Sequence, residues 1–566
     1  MKFRDIPYQR INLDVMKKKA GAITADLKNA KTYEEAKQAF LHWQEFIGRV
    51  HTASSVANTR NNINTADEFY EQERIYWNNA DPVIAELSQN FTLAMLDSPF
   101  RREFEQEYGS LYFENAEIEL KAFSPVIAKE MQEENELVMQ YDKLIASAQI
   151  PFDGKLLTLS QLTPYKQSAD DSVRKAAWEA EGNWFEQNSA TLDEIYDKLV
   201  HLRDTMAKKM GYDNYIQLGY YQMMRNCYTK EDVEKFRQAV LKYIVPICVE
   251  LKKEQAKRIG AEYPMSFADD SLMFRSGNAT PVGTPDEILA NAKKMYHELS
   301  PETAEFIDWM YDNEMLDVLS RKGKSGGGYC TSFPVYKTPF IFANFNGTAG
   351  DVEVVTHEAG HAFAGYTARN ILPLENQNPT LESCEIHSMS MEFFAEQWSH
   401  YFFGDDAEKF KYSHLASALF FIPYGTIVDY FQHIIYEHPE YTPAQRHEVW
   451  AKLESDFRPW LKLEGTPFYE GGKGWQAKMH IYERPFYYID YCLAQTVALQ
   501  FWALIQKDRS DAWKRYLALV KEAGTKTFNG LVETAGLDTP FGDEALKTIA
   551  EAGQKFLDNF DTANLK

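Results

Sequence analysis

The stretch Val354–Phe363 reads VVTHEAGHAF. His357 and His361 stand four residues apart, and Glu358 directly follows the first histidine. In an α-helix, positions i and i+4 lie on one face, about one turn apart. Two imidazoles so placed can reach a single cation. Glu358 is rotated by about 100° from His357, which takes it out of the ligand set but leaves it able to hydrogen-bond a water held by that cation. The pattern is HExxH: two zinc ligands and a general base. Ala359, Gly360, Ala362 and Ala364 keep the helix uncrowded. A helix with two exposed histidines would carry the same letters, so the reading turns on a third ligand.

The pattern HExxHxxGxxH requires glycine and histidine where this chain has Ala364 and Thr367, which excludes that class. A downstream acid remains. PTLESCEIHSMSMEFFAEQW, Pro379–Trp398, reads as a helix. At about 100° per residue, Glu382, Glu385, Glu392 and Glu396 fall within an arc of about 80°, shared with Met389 and bordered by Ile386 and Phe393. Carboxylates on an apolar face need a metal, a cation or a hydrogen bond. Such a line suits a metal ligand supported by further acids. The alternative is a helix with solvated acids and a core face of Ile386, Phe393 and Phe394. Spacing alone does not separate Glu382 from Glu385 as ligand. His387 and Cys384 point elsewhere on the wheel and read as packing or supporting residues.

The rest of the chain is consistent with a soluble enzyme. It has 566 residues, 45% hydrophobic and 14% aromatic, enough for a sizeable core. The net charge of −23 argues against nucleic acid and anionic membranes as partners. Five scattered cysteines, with no CxxC, read as reduced thiols. The N-terminal segment shows no apolar signal core and no apolar run is long enough to span a bilayer, so a cytoplasmic location is expected.

Helical periodicity dominates, in Tyr33–His51, Pro82–Leu96, Phe113–Gln149, Ser172–Gly211 and Thr284–Leu299. One region departs from it. In Lys322–Asp351, a glycine cluster leads into the aromatic run PFIFANF, a short strand expected to end at Asn346–Gly347. A second glycine loop, YEGGKGW at Tyr469–Trp475, precedes a tyrosine-rich segment. Neither loop matches a phosphate-binding pattern, and either could move. The expected division is an N-terminal helical lobe, 1–195, and a catalytic region, 196–566.

HEAGH, a short loop, and then Glu385 with Ser388 and Glu392 in the order E-x-x-S-x-x-x-E resemble the thimet oligopeptidase and oligoendopeptidase F family of zinc peptidases. The likeness is closest to the bacterial oligoendopeptidase F branch and covers Tyr329–Gln500 well. It implies His357, His361 and Glu385 as ligands of one Zn2+ per chain, Glu358 as general base and Glu392 as an acid behind the ligands. In KMHIYERPFYYIDYCLAQ, Lys478–Gln495, it implies that His480, Tyr488 and Tyr491 stabilise the transition state, with Tyr487 beside the substrate. His480 sits one residue nearer the tyrosines than in the thimet branch. Phe340–Phe345 resembles the edge strand that pairs with substrate, so Phe342, Ala343 and Asn344 are expected to bind peptide backbone.

The implied fold is mainly α. It has two helical lobes flanking a deep substrate channel, with a small β-sheet next to the HExxH helix in a zincin-like core. The implied function is a zinc metalloendopeptidase that hydrolyses internal bonds of short oligopeptides, its water deprotonated by Glu358. A dipeptidyl carboxypeptidase-type exopeptidase would share the ligand pattern and would need a cation such as Arg484 for the substrate carboxylate. A non-catalytic helical peptide-binding protein would contain an inert HExxH.

Overall fold

The computed structural model describes every residue except 346, 347, 563, 564 and 566, so the strand end expected at Asn346–Gly347 lies outside the described residues. The fold is mainly helical with small sheets, as expected. Local rules account for much of it. The Tyr33–Ile63 helix starts at Thr32, whose side chain accepts from the Glu35 amide, and buries Ala36, Phe40, Trp43 and Ile47. Thr284 and Glu287 form a capping box ahead of the Pro285–Leu299 helix. The helical periodicity read over Phe113–Gln149 is carried by two helices, Leu111–Ala122 and Ala128–Ala146. Pro125 disfavours the helical conformation at Ser124, which is extended, so the chain must break there.

The chain divides into two compact units, each drawn from three stretches. One comprises Met1–Leu120, Thr280–Asp405 and Leu504–Leu537; the other comprises Lys121–Ala279, Asp406–Ala503 and Asp538–Lys566. Residue 195 falls inside the 39-residue helix Asp171–Lys209.

In the first unit, helices Leu13–Asn29, Tyr33–Ile63 and Glu68–Leu96 share a core in which Trp43 stacks on Phe91. A three-stranded sheet lies in the same unit, in the spatial order Leu316–Leu319, Thr338–Phe345, Tyr329–Phe333. The middle strand pairs parallel with the first and antiparallel with the last. Next in the chain comes the Gly350–Ala368 helix, which carries HEAGH, and then the Leu381–Ala395 helix with the glutamates.

The second unit is built on long helices, including Asp171–Lys209 and Ala407–Glu437. Fully buried Asp429 sits on the latter, paired with Arg237 at 2.8 Å and with His433 at 3.2 Å. Burial alone would raise its carboxyl, but His433 and Arg237 outweigh burial and hold it down to about 2. A depressed carboxylate stabilises the fold above its unfolded value, and that contribution is lost as pH falls through the folded one. Acid is therefore expected to remove stability on the order of 2 kcal/mol between about pH 4 and pH 2. Urea midpoints across that range are expected to fall less steeply for Asp429→Asn than for the wild type, although the variant starts lower. Parallel slopes would show that Asp429 is not the titrating group.

No described helix is long and apolar enough to cross a membrane.

Candidate metal centre

The HEAGH helix buries Val352, Val355, Ala359, Ala362 and Phe363 and turns its two histidines toward the glutamate helix. The two helices meet at Gly360. A Cβ there would lie 2.7 Å from the His387 carbonyl oxygen and 2.7 Å from the Ser388 Cα. Only glycine permits this approach, and it brings Glu385 to the histidines. Glu385 Oε2 lies 3.4 Å from His357 Nε2 and 3.6 Å from His361 Nε2. One ligand atom from each of the three residues lies within 4.8 Å of the others. Glu382, which spacing left as an alternative, is fully buried and outside this trio.

The donor set suits zinc. Bonds of about 2.0–2.1 Å in a tetrahedron put ligand atoms about 3.3–3.5 Å apart, close to the two distances found. Glu392 Oε1 accepts from His357 Nδ1 at 2.6 Å, which leaves the Nε2 lone pair facing Glu385. Ser388 Oγ donates to Glu385 Oε2 at 3.2 Å. Burial opposes the charge on Glu385, but the imidazoles of His357 and His361 beside it outweigh burial and hold the carboxyl low. Burial pushes Glu358 the other way, above the usual carboxylate range, partly offset by His357 and His361. Glu358 is half-buried, and its Oε1 is 3.9 Å from where a Cβ on Gly328 would be. The chain entering the outer strand therefore runs close beside this carboxylate.

The second unit holds the imidazole and tyrosine candidates together. The ring centroid of His480 is 4.9 Å from Tyr488, 5.8 Å from Tyr487 and 5.9 Å from Tyr491. Tyr488 and Tyr491 are 5.4 Å apart, one turn along the Tyr488–Ile505 helix. Burial, with Lys478 and Arg484 adding to it, pushes His480 down to about 4, so its ring is neutral near pH 7. Arg484 stacks over Tyr487 at 5.4 Å.

A model of the peptidase M3 N-terminal domain matches residues 3–123, and a model of peptidase family M3 matches residues 164–265 and 290–551. The chain belongs to peptidase family M3. Three solved structures align with 99% of it. One is a candidate oligoendopeptidase F, 42% identical, with a TM-score of 0.93 over 99% of that chain. Another is PZ peptidase A with an inhibitor, 42% identical, with a TM-score of 0.93 over its full length. The third is a candidate oligoendopeptidase F from Bacillus anthracis, 43% identical, with a TM-score of 0.88 over 99% of that chain. No curated protein matches. As a member of family M3, this protein is a metallo-oligopeptidase of the oligoendopeptidase F type.

The structure of this M3 peptidase corrects one expectation. The Thr338–Phe345 strand is the middle strand, not an edge: Phe342 pairs with Asp317 on one side and Tyr329 on the other. Phe342 and Ala343 are fully buried. Asn344 donates to the Ser325 and Gly327 carbonyls and so ties the glycine loop to this strand. An unbroken apolar run belongs to a strand covered on both faces, and such strands tend to be central.

Both glycine loops are held. The buried Lys324 donates to the Ala343 carbonyl and to Asp317, and a Cβ on Gly472 would lie 2.4 Å from the His447 carbonyl oxygen.

The Gly360 contact is directly testable. Gly360→Ala is expected to cost about 1–3 kcal/mol of stability through overpacking and to weaken metal binding in chelator competition. Unchanged stability together with unchanged affinity would show that the two helices have room to part.

Proposed function

We propose that this M3 peptidase is a zinc endopeptidase that cleaves internal bonds of short peptides. The observation that carries the reading is the convergence of His357 Nε2, His361 Nε2 and a Glu385 oxygen, with Glu358 on the next helical position. His357, His361 and Glu385 would hold one zinc, and Glu392 would keep the proton on His357 Nδ1 so that Nε2 stays a ligand. Zinc bound there supplies Lewis-acid polarisation and makes water more acidic. Glu358 takes the proton of the attacking water on a carboxylate oxygen and delivers it to the leaving nitrogen. Its raised pKa suits the second half of that exchange. Tyr329–Phe333, the outer strand of the sheet, is the better candidate for pairing with a peptide backbone, since it has one ladder partner and begins beside Glu358. Tyr488, Tyr491 and His480 are the proposed donors to the oxyanion, a role that rests on the family resemblance.

The experiment is zinc analysis combined with cut-site mapping on peptides of graded length, each with a free and an amidated C-terminus. One zinc per chain and internal cuts on both forms are expected. Release of C-terminal dipeptides from the free acids alone would replace this reading with the exopeptidase. Absence of both zinc and cleavage would leave only a peptide-binding protein.

A further inference from the structure

Lys478 plays no part in the chemistry above, yet its ammonium sits among the residues proposed for the transition state. Its Nζ lies 3.2 Å from the Tyr488 hydroxyl oxygen, 4.9 Å from the centre of the Tyr488 ring and 5.2 Å from that of Tyr424. It is half-buried, and its described partners are the hydroxyls and rings of those two tyrosines, with no carboxylate among them. Withdrawing an ammonium from water without a counter-ion is unfavourable. Two other buried lysine side chains avoid that: Lys252 has Asp270 at 2.7 Å and Lys324 has Asp317 at 2.7 Å.

Lysine is only a donor. The phenol oxygen of Tyr488 therefore accepts from Lys478, and the hydroxyl hydrogen must point elsewhere.

Resting on the reading of Tyr488 as an oxyanion donor, the geometry points to Lys478 as a positioning residue for that hydroxyl: its N–H occupies the phenol oxygen from one side and fixes the direction in which Tyr488 donates. A polarised phenol is also the stronger donor, as in any chain of hydrogen bonds in a low-dielectric site. The same charge acts on the neighbouring imidazole. Lys478 and Arg484 are the charged groups that disfavour protonated His480, and the rings of Tyr487, Tyr488 and Tyr491 pack beside it. One cation thus aims the hydroxyl and helps to keep the imidazole neutral.

The test is a cycle of Lys478→Met, Lys478→Arg, Tyr488→Phe and the double variant Lys478→Met/Tyr488→Phe, assayed for kcat and KM on a quenched peptide. Lys478→Met is expected to lower kcat by about 10- to 100-fold, the range for a misplaced catalytic group, with KM little changed. Lys478→Arg is expected to recover much of that loss. The double variant should be no slower than Tyr488→Phe, because Lys478 acts through that hydroxyl. The NMR titration midpoint of His480 should rise in Lys478→Met and stay low in Lys478→Arg, a shift that a purely packing role would not produce. Lys478→Gln, neutral and of similar length, takes the place of the methionine variant if that one does not fold, and its His480 midpoint must rise likewise.

If Tyr488→Phe cleaves at the wild-type rate, the tyrosine reading fails and Lys478 falls with it. If Tyr488→Phe is slow while Lys478→Met is fast, or if their losses multiply, Tyr488 stands and the role of Lys478 is overturned.

Discussion

Glu358→Gln is expected to retain one zinc per chain and to lose about 10²- to 10⁴-fold in kcat, the usual contribution of a general acid–base group. Glutamine has nearly the shape of glutamate, so the close approach of Gly328 is undisturbed. His357, His361 and Glu385 keep their mutual spacing, and Glu392 keeps its hydrogen bond to His357. What disappears is the ability to accept a proton and return it. The loss should therefore appear in kcat, with KM and metal content close to wild type. Metal analysis and steady-state kinetics on one preparation decide the matter. Equal cleavage by both proteins would remove Glu358 from the mechanism. Loss of zinc along with activity would make it part of the metal site.

The second large effect is on stability. Arg225→Met is expected to destabilise the protein by about 3–5 kcal/mol, the range for breaking a buried ion pair from one side. The Arg225 side chain is 1% exposed and pairs with Asp490, which is wholly buried. The same guanidinium donates to the Phe486 carbonyl at 2.8 Å. Phe486 has φ of +64°, a conformation that disfavours a bulky side chain by about 1–3 kcal/mol. Its surroundings hold it there. Gln432 accepts from its amide, and its ring packs against Tyr220, His433 and Tyr436. A Cβ on Gly219 would lie 2.6 Å from that ring, so the pocket depends on glycine.

Removing Arg225 takes this counter-charge away from the buried Asp490 and loosens the turn that leads into Tyr487 and Tyr488. Urea unfolding should show a lower midpoint at an unchanged m-value. Replacing Asp490 with leucine in the same chain should recover part of the loss, since the buried carboxylate that lost its counter-charge is removed too. A loss under about 1 kcal/mol is what a solvated ion pair gives, and would show that water reaches this one.

The parts of the site that were legible in the sequence are those set by local geometry. Helical periodicity alone puts His357 and His361 on one face and turns Glu358 aside, and it groups Glu382, Glu385 and Glu392 on one arc. The capping box at Thr284 and the buried face of the Tyr33–Ile63 helix are local in the same sense. The break at Ser124–Pro125 was also written in the sequence, in the conformational limits of proline, though the helical periodicity on either side masked it.

Contacts between distant segments decided the rest. The choice of Glu385 over Glu382 depends on how one helix is shifted along another, and Gly360 sets that shift through atoms of His387 and Ser388. The run PFIFANF declares a strand but not its neighbours: Leu316–Leu319 and Tyr329–Phe333 take both of its edges, which leaves it the middle strand of the sheet. The Arg225–Asp490 pair and the Lys478–Tyr488 bond leave no periodic trace either. Sequence spacing determines direction around a single helix or strand, whereas the distance between two such elements is set by the side chains that pack between them, and this is why only the tertiary structure decides it.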